Sequence, residues 1–151
     1  MAFRVREARI SDAETIVEFN RRLAEESEDV KLDVAILGPG VSAVLADSSK
    51  GRYYVAEENG EVIGQLMITY EWSDWRNGWI WWLQSVYVSA DARGKGVFRA
   101  ILEYTLKQAE SENNVVLMRL YVEKENHAAQ ATYQRLGFEE MHFHLYQRKV
   151  N

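Results

Sequence analysis

Residues 84–101 read QSVYVSADARGKGVFRAI, a strand pattern followed by a small loop with two glycines and then a helix pattern. The first turn of a helix has backbone N–H groups without internal partners, and its dipole is positive there. Gly94 and Gly96 let the backbone come close to a ligand, and Arg93 and Lys95 add positive charge. The stretch therefore predicts an anion site suited to phosphates.

Two other phosphate motifs do not match this loop. The chain lacks the four-residue spacer and Gly-Lys-Ser/Thr ending of a P-loop, and Arg99 stands where the dinucleotide pattern Gly-x-Gly-x-x-Gly needs its third glycine. Two glycines in a loop usually make only a turn. The prediction therefore depends on the position of the loop between a strand and a helix.

Upstream of residue 84, the chain predicts two helices between a first strand and a three-stranded meander. A capping box at Ser11 and Glu14 begins a helix that runs to about Glu26, and Gly38-Pro39-Gly40 breaks the segment before a short second helix. Asn-Gly pairs are strong hairpin signals. The predicted strands are 3–8, 53–56, 62–70 and 79–88, with hairpins at 59–60 and 77–78.

Downstream, a third helix precedes a nearly continuous apolar run at 115–122, which predicts a parallel strand buried on both faces. A helix at about 126–136 ends at Gly137, and 138–149 forms the last strand or strands. We therefore expect one α/β domain over residues 1–151. Its order is β-α-α-β-β-β-α-β-α-β, with a mixed, mostly antiparallel sheet of six to seven strands and about four helices.

Composition excludes several kinds of protein. The 151 residues contain no cysteine, which removes disulfides, thiolate nucleophiles and thiolate metal sites and fits a cytoplasmic protein. The net charge is −5 and basic residues form no stripe, so nucleic acid is not an expected partner. We expect no bound metal, no signal peptide and no membrane span.

Two stretches resemble the GNAT superfamily of acetyl-CoA-dependent N-acetyltransferases. Arg93-Gly94-Lys95-Gly96-Val97-Phe98 is similar to the signature Gln/Arg-x-x-Gly-x-Gly/Ala between the fourth strand and the third helix. Residues 126–138 are similar to the block Asn-x-x-Ala…Phe/Tyr-Tyr-x-x-x-Gly-Phe. The resemblance covers nearly the whole chain, and Phe98 departs from it where the family has Gly or Ala.

The resemblance implies where acetyl-CoA binds. The backbone of Val86, Tyr87 and Val88 would bond the pantetheine arm as an added strand, and the loop would hold the pyrophosphate. The implied loop residues are Arg93, Gly94, Lys95, Gly96, Val97 and Phe98. Asn126 and Ala129 would contact the coenzyme, and Tyr133 would place its hydroxyl near the sulfur as the general acid. We expect the loop to bind phosphate although Phe98 stands where the family has Gly or Ala.

The implied reaction is direct attack of a neutral amine on the thioester in a ternary complex, without an enzyme nucleophile. A glutamate of related polyamine acetyltransferases is matched here by Gln84, which cannot take a proton. Glu71, Asp74 or solvent is then the candidate general base. Each of these acids is more often a plain surface group.

The acceptor is predicted to be a small cationic amine. Acids at Glu25 and Glu26 and aromatics at Trp72 and Trp75 motivate this prediction, together with Gln84 on the fourth strand. A solvated helix end and structural packing explain the same residues. A protein or peptide N-acetyltransferase and a non-catalytic acyl-CoA-binding module are the alternative functions, and a homodimer is possible.

Overall fold

Five strands of the computed structural model, which describes residues 2–151, form one sheet in the order of the chain. They are β1 (Phe3–Glu7), β2 (Arg52–Glu58), β3 (Glu61–Ser73), β4 (Gly78–Val88) and β5 (Val115–Arg119). The first four pair antiparallel, and β5 pairs parallel to β4. The mixed, mostly antiparallel sheet is confirmed, whereas the prediction of six to seven strands is wrong.

Four helices accompany the sheet, as predicted. They are α1 (Ala13–Glu28), α2 (Val34–Ala46), α3 (Val97–Ser111) and α4 (His127–Arg135). Gln65 of β3 bonds Asn20 of α1, while the adjacent Gly64 lies against Val97 of α3. Neighbouring strand residues point to opposite faces, so α1 and α3 cover opposite faces of the sheet.

The turn predictions hold where glycine or asparagine takes a left-handed conformation. Asn59 and Gly60 have φ of 52° and 81° in the β2–β3 hairpin, and Asn77 has φ of 49° before β4 begins. At the end of α4, Gly137 has φ of 96°, and the Phe138 N–H donates to the Tyr133 carbonyl. This is the glycine C-cap expected from the sequence.

Helix α2 runs through Gly38-Pro39-Gly40, so the predicted break there is wrong. The Asp33 side chain caps the helix by accepting from the Ala35 N–H at 2.9 Å. Leu37 and Val41 of α2 pack on the core cluster around Ile16 and Tyr53. Burial of this apolar face outweighs the cost of about 3 kcal/mol for proline inside a helix.

The start of α1 also differs from its prediction. The helix begins at Ala13 with Asp12 as N-cap, after a short 3-10 turn that contains Ser11. Asp12 accepts from the Arg9 N–H and pairs with Arg6 at 2.8 Å. A partly buried ion pair therefore fixes this corner, and the capping box at Ser11 and Glu14 does not form.

Two predictions about the last strands need correction. Strand β5 ends at Arg119, and Val116 and Leu117 are 45% and 38% exposed, so it is not buried on both faces. Residues 138–149 form no strand, and Leu145 and Tyr146 are exposed. Alternating apolar residues favour a strand but do not supply the neighbouring backbone that a strand needs.

The described chain divides into two compact units after Tyr121. The first contains the sheet with α1, α2 and α3, and the second contains α4 and the segment after it. No helix among residues 2–151 combines the length and the apolar character needed to cross a membrane.

Candidate active site

Strand β4 carries one extra residue near its carboxyl end. Gln65 of β3 faces Tyr87 of β4, whereas Met67, two residues further, faces Gln84. Two steps along β3 therefore match three along β4, which makes a β-bulge. Ser85 lies inside this bulge with φ of 50°, a left-handed conformation that is uncommon for a residue with a side chain.

Beyond the bulge, β4 has a neighbouring strand on one side only. Parallel pairing with β5 ends at Trp82, whereas pairing with β3 continues to Val88. No other strand of the described residues pairs with β4 on the β5 side. The backbone groups of residues 86–88 that point away from β3 are therefore placed to bond an extended ligand as an added strand.

A glycine turn connects this open edge to α3. Gly94 and Gly96 have φ of 78° and 80°, and a Cβ at either would meet no atom within 4 Å. The conformation, not the space, therefore calls for glycine. Gly96 provides no side-chain cap for α3, and the first turn of α3 contains no acidic residue. Its N–H groups remain suited to bind phosphate oxygens, so the loop fits a pyrophosphate.

Two loop residues of the predicted signature lie at the start of α3. Val97 is buried and anchors the turn against Gly64 of the sheet. Phe98 is half-buried as the second helical residue, which keeps its backbone N–H in the first turn. Lys95 is exposed at the turn, where its charge adds to the helix dipole.

Arg93 joins the loop to β4 and to α1. Its guanidinium donates to the Val88 carbonyl at 2.9 Å and to Glu26 at 2.6 Å, and it lies 5.3 Å from the centre of the Tyr87 ring. The Tyr87 hydroxyl donates to the other Glu26 oxygen at 2.7 Å. Hydrogen bonds from Tyr87 and Arg93 lower the pKa of Glu26. We call these three residues the Glu26–Tyr87–Arg93 cluster.

The face of the sheet covered by α1 carries a second polar group beside the open edge. The Trp82 indole N–H donates to Glu71 at 2.9 Å, and Arg119 lies 3.9 Å from the other Glu71 oxygen. The Tyr121 ring lies 5.9 Å from that of Trp82. Gln84 shares this face because it is two residues from Trp82. The structure thus places a carboxylate, two rings and an amide at the fork between β4 and β5.

Comparison with known proteins identifies the family. The model of the Acetyltransferase (GNAT) family matches residues 15–138, most of the chain. The chain belongs to the GNAT acetyltransferase family. It is therefore an acyltransferase that uses acetyl-CoA as the acyl donor.

Individual relatives of this GNAT chain include sequences and solved structures. A possible acetyltransferase from Clostridium difficile 630 is 45% identical, with a TM-score of 0.92 over 100% of this chain and 99% of that one. An N-alpha-acetyltransferase of Sulfurisphaera tokodaii is 28% identical over 92% of this chain and 81% of its own length. A predicted acetyltransferase from Clostridium acetobutylicum, solved with acetyl-CoA, is 20% identical with a TM-score of 0.79, over 97% of this chain and 96% of that one.

The tip of the β3–β4 hairpin holds three residues predicted for the acceptor side of this GNAT site. Asp74 and Trp75 lie in the turn, where Trp75 is 91% exposed, and Trp72 packs edge-on against Trp79 at 5.0 Å. Six residues of strand separate the turn end from Gln84, about 20 Å at 3.3 Å per residue, and Trp72 faces Trp79, which is five residues from Gln84. The structure therefore does not bring Trp72, Asp74 and Trp75 together with Gln84.

Glu25 and Glu26 are adjacent in α1 but have different surroundings. Glu25 pairs with Arg21 at 2.7 Å along the helix surface, whereas Glu26 belongs to the Glu26–Tyr87–Arg93 cluster. Both carboxylates already have partners. Glu26 is the one that lies beside the predicted coenzyme loop.

The second unit holds the remaining predicted coenzyme residues of the GNAT chain. The Asn126 side chain caps α4 by accepting from the Ala129 N–H at 3.1 Å. Burial raises the pKa of Tyr133, so its hydroxyl stays protonated at neutral pH. The Tyr133 ring packs edge-on against Phe138 at 6.0 Å. A protonated phenol suits the role of general acid, which stays a prediction.

Sequence reasoning missed Trp82, Arg119 and Tyr121. For Trp82 a signal was available, because its even spacing from Gln84 in a strand predicts a shared face. Arg119 was visible as the one charged residue of an apolar strand. No local signal predicted that Trp82 and Arg119 would contact Glu71, because these contacts depend on the register between three strands.

Proposed function

We propose that this chain transfers the acetyl group of acetyl-CoA to the primary amine of a small cationic acceptor, by direct attack in a ternary complex. The observation that carries the proposal is the Ser85 bulge, followed by an open strand edge and an uncapped helix start. These features occur on one continuous strand–loop–helix segment, as an extended ligand ending in phosphates requires.

The donor side of the proposal uses backbone more than side chains. The backbone groups of residues 86–88 that point away from β3 would bond the pantetheine arm, and the N–H groups at residues 94–98 would bond the pyrophosphate. Arg93 and Lys95 would add charge near the phosphates. In this role Phe98 contributes its N–H, while Asn126 and Ala129 of α4 contribute further coenzyme contacts.

The acceptor side of the proposal lies at the fork between β4 and β5. An alkylammonium has a pKa near 10.4, so it must lose a proton before it attacks. Glu71 is the carboxylate nearest in the register to Gln84 on this face, and it becomes the proposed proton acceptor. The Trp82 and Tyr121 rings would hold the cation through their faces, and Gln84 would orient the amine.

The chemistry of the step needs few groups. Acetyl-CoA supplies an activated acetyl thioester, and the chain positions the amine against it. Glu71 takes one proton from the ammonium, the neutral nitrogen bonds to the thioester carbon, and the C–S bond breaks as Tyr133 protonates the departing sulfur. The nitrogen loses its second proton to solvent as the amide forms, and solvent reprotonates Tyr133. Cytoplasmic residence and a homodimer remain predictions, and sedimentation of the purified chain tests the dimer.

Isothermal titration with coenzyme A and a thiol-release assay test this proposal. We expect coenzyme A to bind at micromolar to millimolar concentration, and a di- or polyamine to release more thiol than amino acids do. Glu71→Gln should lower kcat at least tenfold. Asp74→Asn, which changes an acid at the hairpin tip, is the matched control and should keep it. Failure of coenzyme A to bind would refute the proposal.

A second candidate function is N-terminal acetylation of a peptide or protein. It is favoured by the 28% identity to an N-alpha-acetyltransferase across most of this chain. Peptides with free and with blocked N-termini separate the two functions in the same assay. Faster turnover of the free peptide than of any small amine would replace the first candidate by the second.

A further inference from the structure

Three buried polar side chains lie under the bulge of β4. Asn20 of α1, Tyr53 of β2 and Gln65 of β3 are 6%, 4% and 0% exposed. Burial of a polar group is unfavourable unless hydrogen bonds compensate for the lost water. The atoms that these side chains contact therefore show what their burial achieves.

Their hydrogen bonds converge on Ser85. The Gln65 side-chain N–H donates to the Ser85 carbonyl at 3.0 Å and to the Asn20 oxygen at 3.4 Å. The Asn20 amide donates to the Tyr53 hydroxyl at 3.2 Å. Burial raises the pKa of Tyr53, and hydrogen bonds with Asn20 and Ser85 oppose that rise. The bulge residue is thus bonded at its carbonyl by Gln65, which is bonded in turn to Asn20.

The orientation of the Gln65 amide indicates which of its bonds matters. Within residues 2–151, its side-chain oxygen is buried and has no hydrogen-bond partner. An unpaired buried acceptor is unfavourable, so the amide orientation satisfies its N–H at the expense of its oxygen. The bond that results holds Ser85 at a φ of 50°, which serine rarely adopts.

We propose that Gln65 is a positioning residue for coenzyme binding, because its bond to the Ser85 carbonyl holds the β4 bulge. This inference rests on the proposed coenzyme edge at residues 86–88. Loss of the bulge would shift the end of β4 by one residue, which turns each side chain to the opposite face. Tyr87 would leave Glu26, and the backbone groups of the open edge would point elsewhere.

Gln65→Leu tests this inference, because leucine fills similar space and cannot donate. We expect the Kd of coenzyme A, measured by titration calorimetry, to rise at least tenfold while the thermal midpoint changes by a few degrees. Thr105→Val is the matched control, because the buried Thr105 hydroxyl bonds the Ile101 carbonyl inside α3. This control should leave the Kd unchanged.

A second substitution separates positioning from packing. Ser85→Gly removes the strain of the left-handed conformation, so the double variant Gln65→Leu/Ser85→Gly should recover part of the lost affinity. A purely structural role of Gln65 would give a lower thermal midpoint, an unchanged Kd and no recovery.

The possible results are distinct. If the unaltered chain binds no coenzyme A, the proposed function fails before the inference is reached. If it binds and Gln65→Leu binds equally well, the inference is overturned while the proposed function stands.

If Gln65→Leu does not fold, Tyr53→Phe replaces it, because this change removes only the hydroxyl that accepts from Asn20. We expect about threefold weaker binding for Tyr53→Phe, and unchanged binding would overturn the inference.

Discussion

Gly96→Ala gives a direct measure of how far the glycine turn is preorganised for phosphate. Gly96 has φ of 80°, and a Cβ there meets no atom within 4 Å, so alanine introduces backbone strain without a clash. The left-handed conformation costs a residue with a Cβ roughly 1–2 kcal/mol. In the Gly96→Ala variant without ligand, the loop relieves this strain by adopting another conformation. Binding then has to restore the strained turn.

This strain converts into affinity for coenzyme A. A tenfold change in Kd corresponds to about 1.4 kcal/mol, so Gly96→Ala should weaken binding about 5- to 30-fold. Calorimetric titration measures this change. Gly60→Ala is the matched control, because Gly60 has φ of 81° with the same open space but lies in the β2–β3 hairpin.

The control should lose a similar amount of stability and keep its Kd. Unchanged binding by Gly96→Ala, or an equal loss in Gly60→Ala, would refute the role given to the turn. The first result would mean that the α3 start does not bind the phosphates. The second would mean that any strained glycine lowers affinity through general destabilisation.

Three other predictions concern single side chains. Tyr133→Phe should lower kcat about 100-fold and leave the Kd of coenzyme A unchanged, since it removes the proton donor but not the ring. Because burial raises the Tyr133 pKa, the kcat of the unaltered chain should not fall until the pH exceeds about 10. Glu26→Gln should lower the Kd of coenzyme A about two- to fivefold at low salt, because it removes a negative charge beside the loop, and the gain should vanish at high salt. The Arg6 hydrogen bond lowers the pKa of Asp12 below 3.8, so this carboxylate contributes stability above about pH 4 and loses it as the pH falls through the lowered value. Urea unfolding of Asp12→Asn should therefore show a flatter loss of stability below about pH 4 than the unaltered chain, and an equally steep loss would contradict the Arg6–Asp12 account.

Local sequence signals predicted the parts of this fold that local physics controls. The Asn-Gly pairs at 59–60 and 77–78 predicted the two hairpins of the meander, and Gly137 predicted the end of α4, because a positive φ favours these residues. The glycine turn at 93–96 was predicted for the same reason. These elements depend little on what packs against them.

Other elements depend on long-range contacts and could not be predicted in this way. Helix α2 contains Pro39 because its apolar face packs on Ile16 and Tyr53. The bulge at Ser85 contains no glycine that would predict it, and the hydrogen bond from the Gln65 side chain holds it. Residues 141–145 alternate between apolar residues and histidine, yet no backbone partner makes the predicted segment 138–149 a strand.

The candidate site also contains parts that local sequence predicts and parts that depend on long-range contacts. The glycine turn and the helix start of the proposed coenzyme site followed from one continuous segment of sequence, whereas the Ser85 bulge did not. The acceptor side did not, because Glu71 meets Trp82 and Arg119 only through the register of β3, β4 and β5. Trp72 and Trp75 were predicted to lie on the acceptor side because they are aromatic, but they lie far from Gln84 along the hairpin.

Hydrogen exchange of the backbone amides with and without coenzyme A tests whether the ligand occupies the open edge and the start of α3. We expect bound coenzyme A to slow exchange in the peptide that spans residues 86–98, while the β2–β3 hairpin around Gly60 exchanges as before. Saturating coenzyme A that leaves residues 86–98 unprotected would contradict the placement of the coenzyme along β4.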